Sequence, residues 1–345
     1  MLKRLYLYLP VLALAFVSAA YAVWWDVTAG AIEEGIIAWA ANPAPGEPVI
    51  AYQRLTVTGF PFRIEIVADQ PRILARNGTF QAERLIANVQ PYDLSNIIFR
   101  AGGRQQVTLV GEMQGAPLNA ALEGTTRASL MSVKLGEAGP ERIDIDLHGF
   151  DGTLTRTGEP PAALKADRMQ LHGRRVPDEA GNAGPLQFVA MADRLTLGAG
   201  IDPLLGPDIA HFSLFARIDK PPQGALGDTA QLQRWLEEGG VLAIEDANLL
   251  WGKFDLNAKG ELRLDDARRP QGRIDAAMKG YGALIDALMR RGLLAQEDGE
   301  NARLALNLMA MAAADDKGRV PVPLTLEEGK VFVGRMAVGS LAPLP

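Results

Sequence analysis

The sequence predicts a mainly β protein: a large curved antiparallel sheet, shaped as a trough or open barrel, with a few short helices and an N-terminal transmembrane helix. Three observations lead there. Apolar and polar residues alternate with period two over many short runs, as on strands with one greasy face. Turn-forming pairs such as Asn77-Gly78, Gly102-Gly103, Asp151-Gly152 and Gly239-Gly240, with Asp316-Lys-Gly318, separate many of those runs. A single uncharged stretch near the N-terminus is long enough to cross a bilayer.

That stretch comes first in the chain. After Lys3 and Arg4, the 21 residues from Leu5 to Trp25 carry no charge, the length a helix needs to span hydrocarbon. Positive charge before it and Asp26, Glu33 and Glu34 after it predict an N-terminus inside and the remainder outside. Trp24 and Trp25 suit a membrane interface and favour an uncleaved anchor. Ala20-Tyr21-Ala22 also fits a processing site, so a cleaved signal peptide is the alternative. Ile32, Ile36 and Trp39 then form one helical stripe, and Asn42-Pro-Ala-Pro-Gly-Glu-Pro48 ends that short helix in a stiff linker. The expected organisation is residues 1–25 as anchor, 26–48 as juxtamembrane helix and linker, 49–225 as an N-terminal β half, and 226–345 as a C-terminal β half with two helices.

The folded part follows as files of alternating residues. Ile143, Ile145 and Leu147 make one; Phe212, Leu214, Ala216 and Ile218 another; Phe254, Leu256 and Ala258 a third. Leu262 with Leu264, Ile274 with Ala276 and Met278, and Leu304 with Leu306 and Leu308 are read the same way. Helices are expected over Thr229 to Glu238, behind an Asp228 N-cap, and over Tyr281 to Arg291, stopped by Gly292. The segments Ala82-Glu-Arg-Leu85, Ala166-Asp-Arg-Met169 and Ala192-Asp-Arg-Leu195 form a faint repeat at irregular intervals, which fits a reused strand unit or common surface composition.

In Thr58-Gly-Phe-Pro-Phe-Arg-Ile-Glu-Ile66 the apolar file changes parity at Gly59, from Leu55 and Val57 to Phe60, Phe62, Ile64 and Ile66. A strand cannot change parity without a bulge or tight bend, and Pro61 is tolerated only there or at an edge. The segment is expected to begin the sheet near the anchor, with Phe60 and Phe62 closing its apolar end. The anchor, the tryptophan pair, the short helix and Gly59-Phe-Pro-Phe-Arg63 together resemble the bacterial domain of unknown function 2125 family. The segment from Trp235 through Lys259-Gly-Glu-Leu-Arg-Leu264 and Gln271-Gly-Arg-Ile274 to Gly329-Lys-Val-Phe-Val-Gly334 is similar to the closing part of AsmA-like proteins. The second resemblance implies a membrane-anchored, periplasm-facing β structure associated with lipid transport and outer-membrane upkeep, and the expected location is the bacterial inner membrane, single-pass with a periplasmic C-terminal domain.

Chemistry is sparse. With 35 basic against 41 acidic residues and a net charge of −6, nucleic acid is not an expected ligand. There is no cysteine, hence no disulfide or thiolate site, and no nucleophile elbow, phosphate loop or His-Glu-x-x-His pair. Asp144, Asp146 and His148 share a strand face but have no closing ligands nearby, and solvated strand polarity explains them. No catalysis and no cofactor are expected. The expected partners are the inner membrane, phospholipid acyl chains and other envelope proteins.

The expected function is therefore lipid binding or transfer by a membrane-anchored periplasmic protein. Its lining candidates are Phe60, Phe62, Leu256, Ile274, Met278, Leu304, Leu306 and Leu308. Gly59, Pro61 and Arg63 form the accompanying structural motif. The alternative is a non-catalytic interaction module, a β-sandwich on a membrane stalk.

Overall fold

The computed structural model describes residues 2–113, 116–137, 139–176, 184–221, 234–235, 237–313, 318–333 and 336–341. Between Trp25 and Asp26 no glycine or proline interrupts the backbone hydrogen-bond ladder. The expected anchor and juxtamembrane helix are accordingly one element, α1 (Leu2–Ala41), with Pro10 inside it and Asn42-Pro43 after it. It is long and apolar enough to cross a membrane.

Among the described residues, eighteen strands form one antiparallel sheet. A kinked N-terminal meander comprises β1 (Val49–Ala51), β2 (Arg54–Thr58), β3 (Ile64–Asp69) and β4 (Arg72–Ala75). It pairs onto β5 (Gly78–Gln90), which pairs with β6 (Asp93–Met113). One half of β6 holds β7 (Ala116–Thr125) and the other holds β8 (Ala128–Gly136); both lie on β9 (Gly139–Arg156). Nearest-neighbour pairing then runs through β10 (Ala162–Arg175), β11 (Leu186–Leu197), β12 (Asp208–Asp219), β13 (Val241–Trp251), β14 (Phe254–Leu264) and β15 (Pro270–Lys279). It ends in β16 (Val320–Glu327), β17 (Lys330–Val333) and β18 (Met336–Ser340). The sheet therefore continues across the expected 225/226 boundary, which itself lies outside the described residues.

Two turn signals prove to be interior glycines. Gly102-Gly103 falls within β6 beside a register shift, and Asp151-Gly152 within β9. At Gly152 an added Cβ would come within 2.2 Å of the Glu123 carbonyl oxygen, and at Gly124 opposite within 2.6 Å of the Asp151 carbonyl oxygen. These glycines let long strands approach and bend rather than end.

Between β15 and β16 lie α2 (Tyr281–Arg290) and α3 (Gln296–Ala313). The first agrees with expectation. The second corrects the strand file at Leu304, Leu306 and Leu308: the backbone is helical there, so Leu306 faces inward while Leu304 and Leu308 are exposed. Helical contacts from Ala302, Leu306, Met309 and Ala310 override the accidental two-residue spacing. Of the expected helix at 229–238, residues 234, 235, 237 and 238 are described. The first three are helical, with Trp235 buried and its Nε1 donating to the Asp219 carbonyl at 3.0 Å, and Glu238 lies in the turn that follows; the remainder and the Asp228 cap lie outside the described residues.

The best-sealed core is local: Ile285 and Leu306 from α2 and α3 pack on Val320 and Val322, each of the two valines 1% exposed. Elsewhere the floor is thinly covered. The chain's accessible surface is 21344 Å², whereas a compact protein of this mass exposes about 13,600 Å². A projecting helix and a sheet without a full second layer among the described residues contribute to that excess.

Candidate functional site

The register decides which side chains share a face. Beginning beside α1, Val57 lies opposite Ile66, Ile66 opposite Ala87, Ala87 opposite Phe99 and Phe99 opposite Met131. The same file continues through Ile145, Leu171, Ala190 and Leu214, then Ala247, Ala258, Ala276 and Val322. Parallel files flank it, one from Leu55 through Leu147, Met169 and Leu256 to Met278, the other from Ile64 through Ile143, Phe188 and Ile274 to Leu324. Each advance to the next strand covers about 4.8 Å, so the floor follows a contour of roughly 58 Å from β2 to β16. Period-two alternation within each strand and in-register pairing between strands together make this apolar face continuous.

Its two ends are covered differently. At the C-terminal end α2 and α3 seal it, as described. At the N-terminal end α1 presents Tyr21, Trp25, Ala29, Ile32, Ile36 and Trp39, spaced by three and four residues, towards the first strands. Contact there is incomplete. A cavity of about 410 Å³ remains between Ile32, Ile36 and Trp39 of α1 and a floor of Leu55, Ile66, Leu85, Ala87, Val89, Ile97 and Phe99. No charged side chain lines it. The Trp39 indole N–H is shielded from solvent there without a hydrogen-bond partner. None of α1, α2 and α3 packs extensively on β8 to β13, and Ile143 and Leu171 remain 40% and 45% exposed.

The opposite face is polar and internally neutralised. Arg168 donates two hydrogen bonds to Asp146 at 2.9 and 2.7 Å; this pairing, with His148 adding to it, holds the Asp146 carboxyl below its ordinary range. His172 pairs with Asp144 and His211 with Asp193, both at 2.8 Å. The acidic–histidine group singled out from sequence is thus engaged with its own neighbours. The faint repeat has a matching physical basis: Ala82, Ala166 and Ala192 are buried, while Arg84, Arg168 and Arg194 reach Asp69, Asp146 and Asp167 respectively.

The lining candidates separate accordingly. Leu256, Ile274 and Met278 lie in the floor files. Leu306 belongs to the sealed cap at 6% exposure, so a carboxylate there acts on folding first. Leu304 and Leu308 face away from that cap. Phe60 and Phe62 stand beyond the ends of the files, in the turn joining β2 to β3. Gly59, with φ 105°, begins that turn; an added Cβ would lie 2.7 Å from the Arg63 carbonyl oxygen. The expected bend is a complete hairpin reversal. Phe60 packs against Tyr21 and Trp25 of α1 with ring centroids 6.3 and 5.5 Å apart. Tyr21 Oη donates to the Pro61 carbonyl and Trp25 Nε1 to that of Arg63, the latter at 3.1 Å.

Sequence reasoning missed the cavity lining of Leu85, Val89, Ile97 and Phe99. The apolar alternation of Leu85, Ala87 and Val89 was present, but only the pairing shows that α1 overhangs it.

The family model described as an uncharacterized protein conserved in bacteria, DUF2125, matches residues 25–342, the whole described sheet and the C-terminal part of α1. The chain belongs to the DUF2125 family. No curated protein matches it. In this DUF2125 chain the matched region begins at Trp25, so it includes both the Phe60 turn and the stripe from Ala29 to Trp39 that overhangs the cavity.

Proposed function

We propose that this protein is anchored in the bacterial inner membrane by α1, faces the periplasm, and binds or transfers phospholipid in envelope maintenance without catalysing a reaction. The observation that carries this reading is the uninterrupted apolar floor. It leads from a charge-free cavity under α1 to the α2–α3 cap, and between them the described residues leave it partly open, as at Ile143 and Leu171. An apolar face of that extent is rarely left to water, and an acyl chain is the flexible aliphatic occupant that a lining of Leu, Ile, Val, Ala and Met suits. The resemblance to AsmA-like proteins read from the residues of the C-terminal segment points to the same class. Binding is passive in this mechanism. Methylenes lie along the floor at about 0.8 kcal/mol each, while phosphate headgroups stay in water at the trough rim.

A photo-crosslinking residue replacing Leu214, mid-floor, tests it in the intact protein within cells. Phospholipid adducts are expected there and not from the same residue replacing Met191 on the opposite face. Absence of lipid from Leu214 would overturn the reading. The rival, an interaction module on a membrane stalk, draws on the exposed Leu304, Leu308 and Met311 of α3; it predicts protein adducts from α3 and none of lipid from the floor.

A further inference from the structure

The β2–β3 turn holds large aromatic side chains where water exposure is least favourable. Phe62 is 83% exposed and Phe60 53%, although the turn is fixed to α1 by Phe60 stacking and by the hydrogen bonds to the Pro61 and Arg63 carbonyls. The next turn at the same end of the sheet repeats the feature. Because Ile64 pairs with Val89 and Gln90 with Asp93, the β5–β6 turn lies beside it and presents Tyr92, also 83% exposed.

The depth of these turns follows from α1. Asp26 is the first charge after the apolar run, and Tyr21 precedes it by five residues, about 7.5 Å towards the membrane at 1.5 Å per residue. Contact with both Tyr21 and Trp25 places the Phe60 turn level with the last turns of the apolar segment, where tyrosine and tryptophan occupy a bilayer interface. Arg63 at the base of the turn, paired with Glu65 at 2.9 Å, lies where headgroup phosphates would meet it.

We propose that Phe62 and Tyr92 are a second membrane contact: two adjacent turns of the sheet dip into the headgroup layer of the bilayer that α1 spans. The occupant of this surface is phospholipid. The inference rests on α1 being in the membrane but not on lipid occupying the trough. Its consequence is orientational. One helix leaves a domain free to tilt and rotate, whereas three points of contact hold the cavity mouth at a set height over the bilayer.

The chain has no cysteine, so a single introduced thiol labels uniquely. The full chain is reconstituted in phosphatidylcholine–phosphatidylglycerol vesicles with an environment-sensitive fluorophore at Phe62→Cys, Tyr92→Cys, Val17→Cys within α1, or Arg76→Cys. Arg76, exposed in the turn before β5, lies at the far end of that strand, roughly 40 Å away at about 3.3 Å per residue. Phe62 and Tyr92 touch little, so their replacement leaves the fold intact. Blue-shifted emission at positions 62 and 92, with most of it lost to a nitroxide high on the lipid acyl chain, and water-like unquenched emission at 76, support the proposal. Water-like emission at 62 and 92 with quenching at 17 overturns it alone. Loss of quenching at 17 as well overturns it together with the anchor.

Discussion

Leu171→Glu tests the floor most directly. Leu171 sits midway along the central file, between Ile145 and Ala190, and is 45% exposed. Folding therefore loses only cross-strand contacts, on the order of 0.2–1 kcal/mol. Lipid loses far more. An acyl chain crossing β10 gives up the contact with the exposed part of Leu171, about 0.7–1.4 kcal/mol, and must lift roughly two methylenes clear of a carboxylate that cannot be desolvated cheaply, about 0.8 kcal/mol each. The total of about 2–3 kcal/mol corresponds to binding weaker by roughly two orders of magnitude. The assay is the lipid adduct formed at Leu214 in that variant, compared with Met191→Glu on the opposite face of β11. Adduct is expected to disappear in the first and persist in the second, with melting temperatures close to that of the unmodified protein. Equal lipid adduct in both variants would refute the assignment of the occupied face.

The remaining predictions concern the scaffold. Leu306→Ala empties a site in the sealed cap and should cost about 2–5 kcal/mol, read as faster hydrogen exchange across α2, α3 and β16; a loss below about 1 kcal/mol would contradict that packing. Gly152→Val forces a side chain against the Glu123 carbonyl and should lower solubility and melting temperature, whereas Gly173→Val, with open space at its Cβ, should change neither. The Asp146 carboxyl is held below its ordinary value of 3.8 chiefly by Arg168. Its contribution to stability is thus complete above that pH and lost as pH falls through the lowered folded value. Asp146→Asn should be less stable than the parent at pH 7 and show a smaller further loss on acidification; an unchanged acid response would remove Asp146 from the account.

Much of the architecture was legible because a strand's alternation is a local property. The files at Ile143–Leu147, Phe212–Ile218 and Phe254–Ala258 fall on β9, β12 and β14 facing the floor. The same reasoning failed where local spacing admits two periods, as at Leu304, Leu306 and Leu308. It also failed where glycine marks bending rather than ending, as at Gly102-Gly103 and Gly152.

The sequence by itself determined that the chain is β-rich, carries a membrane-length helix and lacks the common catalytic and metal-binding motifs, because alternation, length and residue chemistry are readable without neighbours. Only the tertiary structure decided that separate files join into one floor, that α1 overhangs its first strands and leaves a cavity, and that Leu306 is sealed while Leu171 is open. Register and coverage depend on residues far apart in the chain meeting at particular positions, and no local pattern encodes which strand lies opposite which.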